Sequence, residues 1–444
     1  MTIAADDRAG TDTAPPRDRT SWWAVAVWGA LVAGALAVGL AVHPGYPAGD
    51  WVPPLHGHRR AVPWSIALPV LVGLAAVLVL PRLAGRLEWR TLVGVGWLGA
   101  AAWAVILAVV DGPARLAAPL ATEHEYLAAL GTIGGDPVAW LGRFAGLVES
   151  LPTHAAGHPP LATLVFWALD AIGLGGPGWA ATLCIVAGAS AVPAVLVTVR
   201  ALADEPTARR AAPFLVLAPF ALTVATSADA IFLGVSAWAV AALALAVVRR
   251  PKVVGPVGPG SIGLGVIAGV LFGVGIFLSY GLVVAGGLAV AVLVIQWVPR
   301  VAVAAVGGAV AVVVVMALAG FWWFDGVAAT AVRWDAGAGS NRPYWFTIVG
   351  NVAVLALIVG PAAAAALPRL RQRGVATLVV GALVAVLALD VSGVTRGEVE
   401  RIWLPFAPWI VLACTALPQR WVRSALVAQV AVAVAVQALV RLSW

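Results

Sequence analysis

"PPLATLVFWALDAIGL", residues 159–174, is the stretch on which the topology of this chain turns. It is apolar enough to enter a membrane, yet it opens on two prolines and carries Asp170. Crossing a hydrocarbon core of about 30 Å as a helix takes roughly 17–25 apolar residues, so the segment is short by length alone. Arginine placement decides the matter, because cytoplasmic loops concentrate Lys and Arg. With the segment held on one side and the N-terminus cytoplasmic, 18 of the 27 basic residues fall inside. If it crosses, the clusters "RALADEPTARR", "RRPK" and "PRLRQR" all move outside. The segment is therefore expected to be an interfacial or re-entrant helix within one long external loop, 111–177.

The rest of the chain sets that loop in a membrane. Of 444 residues, 62% are hydrophobic and 11% charged, against roughly 45–50% and about 25% in soluble domains. Candidate spans are 22–42, 63–81, 92–110, 178–199, 211–226, 230–248, 262–280, 282–297, 301–319, 346–366, 375–390, 402–417 and 424–441. The fold class is all-α, a polytopic transmembrane helical bundle of about 13 spans with its C-terminus outside. Residues 1–20 are polar and read as a disordered cytoplasmic tail. Residues 21–444 form the bundle, with a second external loop at 320–345. The first apolar segment lacks a small-residue cleavage site and reads as a retained signal anchor. Cys184 and Cys414 lie inside apolar runs, which is neither a disulfide framework nor a metal spacing. The net charge of +7 comes from scattered arginines, a pattern that fits positive-inside topology and not nucleic-acid binding.

The same topology places 13 of the 20 acids outside. In the long loop, "EHEYLAALGTI" offers a short surface helix on which Glu123 and Tyr126, three apart, share a face while Glu125 points elsewhere. One of these glutamates, with Tyr126 and Asp111 nearby, is a candidate base for a hydroxyl nucleophile; a solvated turn whose acids face water is the competing reading. His154 and His158 in "THAAGHPPLATL" are placed to meet a phosphate at headgroup level, or are plain interface residues; no partner set supports a zinc pair. Asp229 in "TSAD" sits at a span mouth, where a lipid-facing carboxylate would cost roughly 2.5–3.5 kcal/mol, so it faces a polar cavity or caps a helix. Arg333 and Arg342, in the loop "FWWFDGVAATAVRWDAGAGSNRPYWFTIV", defy the positive-inside bias and suggest anion binding. Arg401, in "TRGEVERIWLPFAPWIVL", either snorkels to headgroups or holds a specific phosphate.

Taken in order, these motifs resemble the multi-span GT-C glycosyltransferases that take sugars from polyprenyl-phosphate carriers, the mannosyl-, arabinosyl- and aminoarabinose-transferase group. "EHEYLAAL" looks like the acidic DE-x-x-Y motif of the first catalytic loop. "GHPPLATLVFWAL" is similar to the His-Pro-Pro-Leu step, "TSADAIFLGVSAW" to the Asp-initiated span and "RIWLPFAPWIVL" to the late R-x-x-L-P-x-x-P span. The match runs from about 111 to 417. It departs from the pattern in having Glu123 and Glu125 where an Asp is usual, and two extra spans before the motif. The resemblance implies a sugar transferred with inversion from a polyprenyl-phosphate-linked donor to a glycan, lipid or protein acceptor, at the outer face of the cell membrane. It implies Glu123 as general base with Glu125 next, and His158 at the carrier phosphate. Arg401, with Arg342 or Arg333, neutralises the leaving phosphate, and Tyr126, Asp229, His154 and Asp111 shape the pocket. Some members of the group use a divalent cation, Mg or Mn; no dedicated carboxylate cage stands out here.

Two other function classes compete. A transporter or lipid-carrier flippase places ionisable groups near the bilayer midplane and uses broken helices, whereas runs such as "GVATLVVGALVAVLAL" hold no charge. A non-catalytic scaffold that binds a lipid carrier is the third.

Overall fold

The computed structural model describes residues 19–248 and 258–444. The expected tail, 1–20, lies outside the described residues except for Arg19 and Thr20, which open the first helix. The chain is an all-α bundle of membrane helices with one two-stranded exception. Among the described residues, nine helices are long and apolar enough to cross a bilayer: Ser21–Val42, Trp64–Arg86, Trp89–Asp111, Pro177–Leu202, Asp229–Val248, Pro259–Leu278, Pro299–Leu318, Arg373–Ser392 and Gln419–Leu439.

Four segments expected to span, 211–226, 282–297, 346–366 and 402–417, form short or broken elements instead. Residues in the first divide between Glu205–Val216 and Pro219–Thr223, because Pro219 cannot donate into a continuing helix. The second runs as a short helix, Tyr280–Ile295. The third bends by 91° between Tyr344–Val359 and Pro361–Arg369; counted as one span, it raises the number to ten. The bend falls at Gly360, whose φ of +79° suits glycine. In the fourth, Ala407–Ala416 is a shorter apolar helix that begins beside Pro408. The deciding stretch of the sequence becomes Pro160–Ala171, a helix opened by Pro160 at its first position. At 1.5 Å per residue it is about 18 Å long, too short to cross.

The helix Asp229–Val248 is the hub. Within its span window 78% of residues are buried, against 17% in Ser21–Val42, Trp64–Arg86 and Pro299–Leu318, which form the periphery. Pro259–Leu278 packs closely on Pro299–Leu318 through Gly269, which faces the backbone of Ala305, and Gly308, which faces the backbone of Val266. Small residues that let backbones approach are the usual adhesive between helices in lipid.

Side-chain bonds sort the connecting segments into two ends. At one, Arg209 donates to the carbonyls of Ala84 and Leu87 and pairs with Glu205, Arg210 donates to Leu417, and Arg369 to Ser21. At the other, residues 43–62, the long loop, Asp229, Arg342, residues 396–401 and the chain end are tied together. There Gly57–Arg59 pairs antiparallel with Val440–Leu442, matching Gly57 to Leu442 and Arg59 to Val440. That small ribbon brings His56 and Trp444 over the second end.

Candidate functional site

Arg401 is the centre of the second end. The four-residue helix Val399–Ile402 presents it after a turn in which Gly397 has φ +95° and Glu398 φ +60°. A Cβ on Gly397 would come within 2.5 Å of both Arg342 Nη1 and Tyr46 Oη, so close packing as well as backbone geometry selects glycine. Asn351 fastens the turn from below: its amide donates to Asp390 and to the Thr395 carbonyl at 2.9 Å each, and its oxygen accepts from the Gly397 N–H at 3.2 Å.

From that support the Arg401 guanidinium donates to Asp229 Oδ2 at 2.7 Å and Glu398 Oε2 at 2.8 Å, and Nη2 lies 3.0 Å from His154 Nδ1. Arg401 and Asp229 are buried, so each charge depends on the other for its stability there. Burial alone would lower the Arg401 pKa; Asp229 and Glu398 overcome it and push the pKa up. Burial works against the Glu398 carboxylate too, but Arg401, His56 and Arg342 hold it below the usual carboxylate range.

His154 passes the network to the acidic loop. Burial, with Arg401 beside it, keeps this imidazole neutral. Since Nδ1 faces an Arg donor, it accepts, and the proton sits on Nε2. That nitrogen lies 3.6 Å from Glu125 Oε1. Glu125 is buried, and desolvation pushes its pKa up to about 7, against the opposing pull of Arg401. Beneath it Tyr126 is buried with its hydroxyl unpartnered, its ring 5.7 Å from His158 and 5.5 Å from Phe166. His158 donates through Nδ1–H to the His154 carbonyl, 2.9 Å away, and packs on Phe232.

Glu125, Tyr126, His154, His158, Asp229 and Arg401 are thus brought together. Arg342 joins from the side: it lies 3.7 Å from Glu398 Oε1, donates to the Arg396 carbonyl at 2.7 Å and covers the Tyr46 ring. Three of the expected residues go elsewhere. Glu123 is exposed, with a side chain 88% accessible and His124 Nε2 3.8 Å from its carboxylate. The expected helical face fails because residues 123–125 form a turn and the helical turns start at Tyr126; the adjacent Glu125, not Glu123, then enters the bundle with Tyr126. Asp111 is bound to Arg60 at 2.6 Å and Arg441 at 3.5 Å. Arg333 ties down the carbonyls of Glu149 and Leu151, joining the helix Trp323–Ala336 to the long loop.

His56, Glu398 and Trp444 join the site without a sequence motif to announce them. His56 stacks on Trp444 with ring centres 5.0 Å apart, and Arg401 lies 4.8 Å from the Trp444 ring centre. The His56 N–H donates to Glu400 Oε1 at 2.8 Å. Glu398 stands two residues from Glu400 in a stretch already rich in charge, and that density is the one signal that marks it.

The sequence resemblance allows for a divalent ion such as Mg or Mn. Among the described residues, no three His, Cys, Asp or Glu side chains converge to hold one, and Asp229 and Glu398, the nearest carboxylates, are engaged by Arg401. Hard cations need several free oxygens.

No family model matches the sequence, and no curated protein is similar to it. Among solved structures the chain is similar to the crystal structure of the Archaeoglobus fulgidus oligosaccharyltransferase in complex with Zn and sulfate. The two are 16% identical, with a TM-score of 0.47, over 77% of this chain and 53% of that one. This chain therefore matches about half the length of that protein.

Proposed function

We propose that this protein is a GT-C-type integral membrane glycosyltransferase that moves a sugar from a polyprenyl-phosphate carrier to an acceptor hydroxyl on a glycan, lipid or protein. It works at the outer face of the cell membrane, with its N-terminus cytoplasmic. The observation that carries the reading is the Glu125–His154–Arg401 chain at one end of a membrane bundle. It joins a carboxyl of suitable basicity to buried guanidinium groups across three segments far apart in sequence.

The chemistry follows from those groups. The acceptor oxygen forms a bond to the anomeric carbon as the bond from that carbon to the phosphate oxygen breaks, so the configuration inverts. The acceptor proton passes to Glu125, whose pKa of about 7 suits a base at neutral pH. The bonding pair leaves with the polyprenyl phosphate, whose growing charge is met by Arg401 and Arg342. Asp229 and Glu398 hold the Arg401 guanidinium in place beforehand, and His154 Nε2–H faces Glu125 and steadies its carboxylate form. Arg333 and Asp111, spent on structural bonds, take no part.

The transporter reading loses ground at the broken helix. A broken span can expose backbone groups that bind a passing ion. Here Gln429 donates to the Val359 carbonyl at 2.8 Å and accepts from the Ala362 N–H at 3.3 Å, so the gap is filled by protein.

The test is sugar transfer by the purified full chain in nanodiscs, with a panel of radiolabelled polyprenyl-phosphate sugars and membrane-extracted acceptors. Transfer from at least one donor, with inverted anomeric configuration in the product, is expected. Failure of every donor, or retention of configuration, contradicts the proposal.

A further inference from the structure

We propose that a groove between the first and last membrane helices binds an anionic phospholipid, with an acyl chain along the groove and the phosphate on Arg59 and Arg60. The groove is a 520 Å³ cavity walled by Leu36 and Leu40 of the first helix, Ala435 and Leu439 of the last, and Leu55 between them. That volume lies within the usual range for a ligand pocket, roughly 300–1,000 Å³. Its walls are apolar, and its charged lining is Arg59 and Arg60.

Arg60 supplies the decisive observation. Its side chain is only 8% accessible, and Nη1 is bound to Asp111. Yet Nε and Nη2 are buried without any partner. Buried donors are nearly always satisfied in native proteins, and a guanidinium is built to take a phosphate through two adjacent N–H groups. Arg59 beside it is exposed. Arg441 is 57% accessible and lies 3.5 Å from Asp111, and Arg115, which bonds the Leu442 carbonyl, also feels that carboxylate, so three guanidinium groups gather around the single Asp111. The cluster stands at the end of the bundle poorest in basic residues, and its surplus charge calls for an anion.

The walls say where that anion comes from. The two helices that frame the groove are among the least buried of the bundle, 17% and 28% within their span windows, and so face the bilayer. A phosphate tethered to a hydrocarbon chain satisfies both the apolar trough and the cationic mouth, whereas a free phosphate satisfies only the second. The site is separate from the Arg401 network and stands whether or not the chain transfers sugars.

The full chain, purified in dodecyl maltoside and stripped of lipid, is titrated with dioleoyl phosphatidylglycerol, dioleoylglycerol or glycerol 3-phosphate and read by native mass spectrometry. One phosphatidylglycerol per chain is expected to be retained. Arg59→Gln, at an exposed position, and Ala435→Trp, which fills the trough, should each weaken retention about tenfold or more. Dioleoylglycerol should bind weakly, and glycerol 3-phosphate should not displace the lipid at equal concentration. The proposal is overturned if phosphatidylglycerol is not retained or if both variants hold it like the wild type. It is equally overturned if dioleoylglycerol binds as well, or if glycerol 3-phosphate competes as an equal.

Discussion

Glu125 and Glu400 are both buried carboxyls pushed up to about 7 by desolvation, and their neighbours give them different work. Glu125 faces an imidazole and lies within a titratable network. As the base it must be ionised, so kcat/KM should rise about tenfold per pH unit below 7 and flatten above it, measured as a pH–rate profile. Glu400 faces the His56 backbone and a small void, with Oε2 unpartnered. Its folded-state pKa is raised from 4.5 to about 7, so the folded protein holds this proton more tightly than the unfolded chain. Its contribution to stability is therefore full below pH 4.5, falls as pH rises, and is lost above about 7. Glu400→Gln keeps the acceptor and removes the titration, so its melting temperature should overtake the wild type's as pH passes 7. Glu400→Ala strands the His56 N–H and should cost about 1–3 kcal/mol at every pH. Much of this residue set was legible: Glu125, His154, Asp229 and Arg401 all stood out as polar groups in an apolar chain. The choice between Glu123 and Glu125 was not, because it depends on where a turn ends and helix begins, one residue from the motif. His56 and Trp444 were hidden for another reason: each reaches the site through strand pairing between the two ends of the chain, and neither sits in a motif.

Apolar length found the nine continuous spans, since each is long enough to satisfy its backbone within one helix. It overcounted where Pro or Gly divides an apolar run into two pieces, as at Pro219 and Gly360, because hydropathy does not register a missing N–H or a positive φ. Those broken elements position the site. The short turns Pro219–Thr223 precede the helix that opens on Asp229, the partner of Arg401, and the arm before the bend at Gly360 carries Asn351, which bonds the 395–397 turn. The Gln429 amide is what makes the bend tolerable in a membrane. Gln429→Leu leaves the Val359 carbonyl and the Ala362 N–H unpaired, and should lower stability by about 1–3 kcal/mol per stranded group, seen as a drop in melting temperature in detergent. An unchanged melting temperature would mean that the break is satisfied in some other way.

For the molecule as a whole, the arginine distribution and the bonding pattern sort the connecting segments into the same two groups, one gathered around Arg209 and the other around Arg401. The two ends should therefore label from opposite sides of the membrane. Cys184 and Cys414 are buried and will stay silent, so Glu123→Cys and Glu88→Cys, both at exposed positions, report the ends cleanly. In intact cells an impermeant maleimide should modify the first and spare the second; equal modification of both would overturn the arrangement of ends. The buried glutamate, and not its exposed neighbour, is expected to take the acceptor proton. This is tested most directly by measuring kcat/KM for sugar transfer in Glu125→Gln and Glu123→Gln side by side. The geometry predicts a loss of roughly 10²–10⁴-fold in Glu125→Gln and near wild-type transfer in Glu123→Gln. Full activity in Glu125→Gln, or a greater loss in Glu123→Gln, would contradict it.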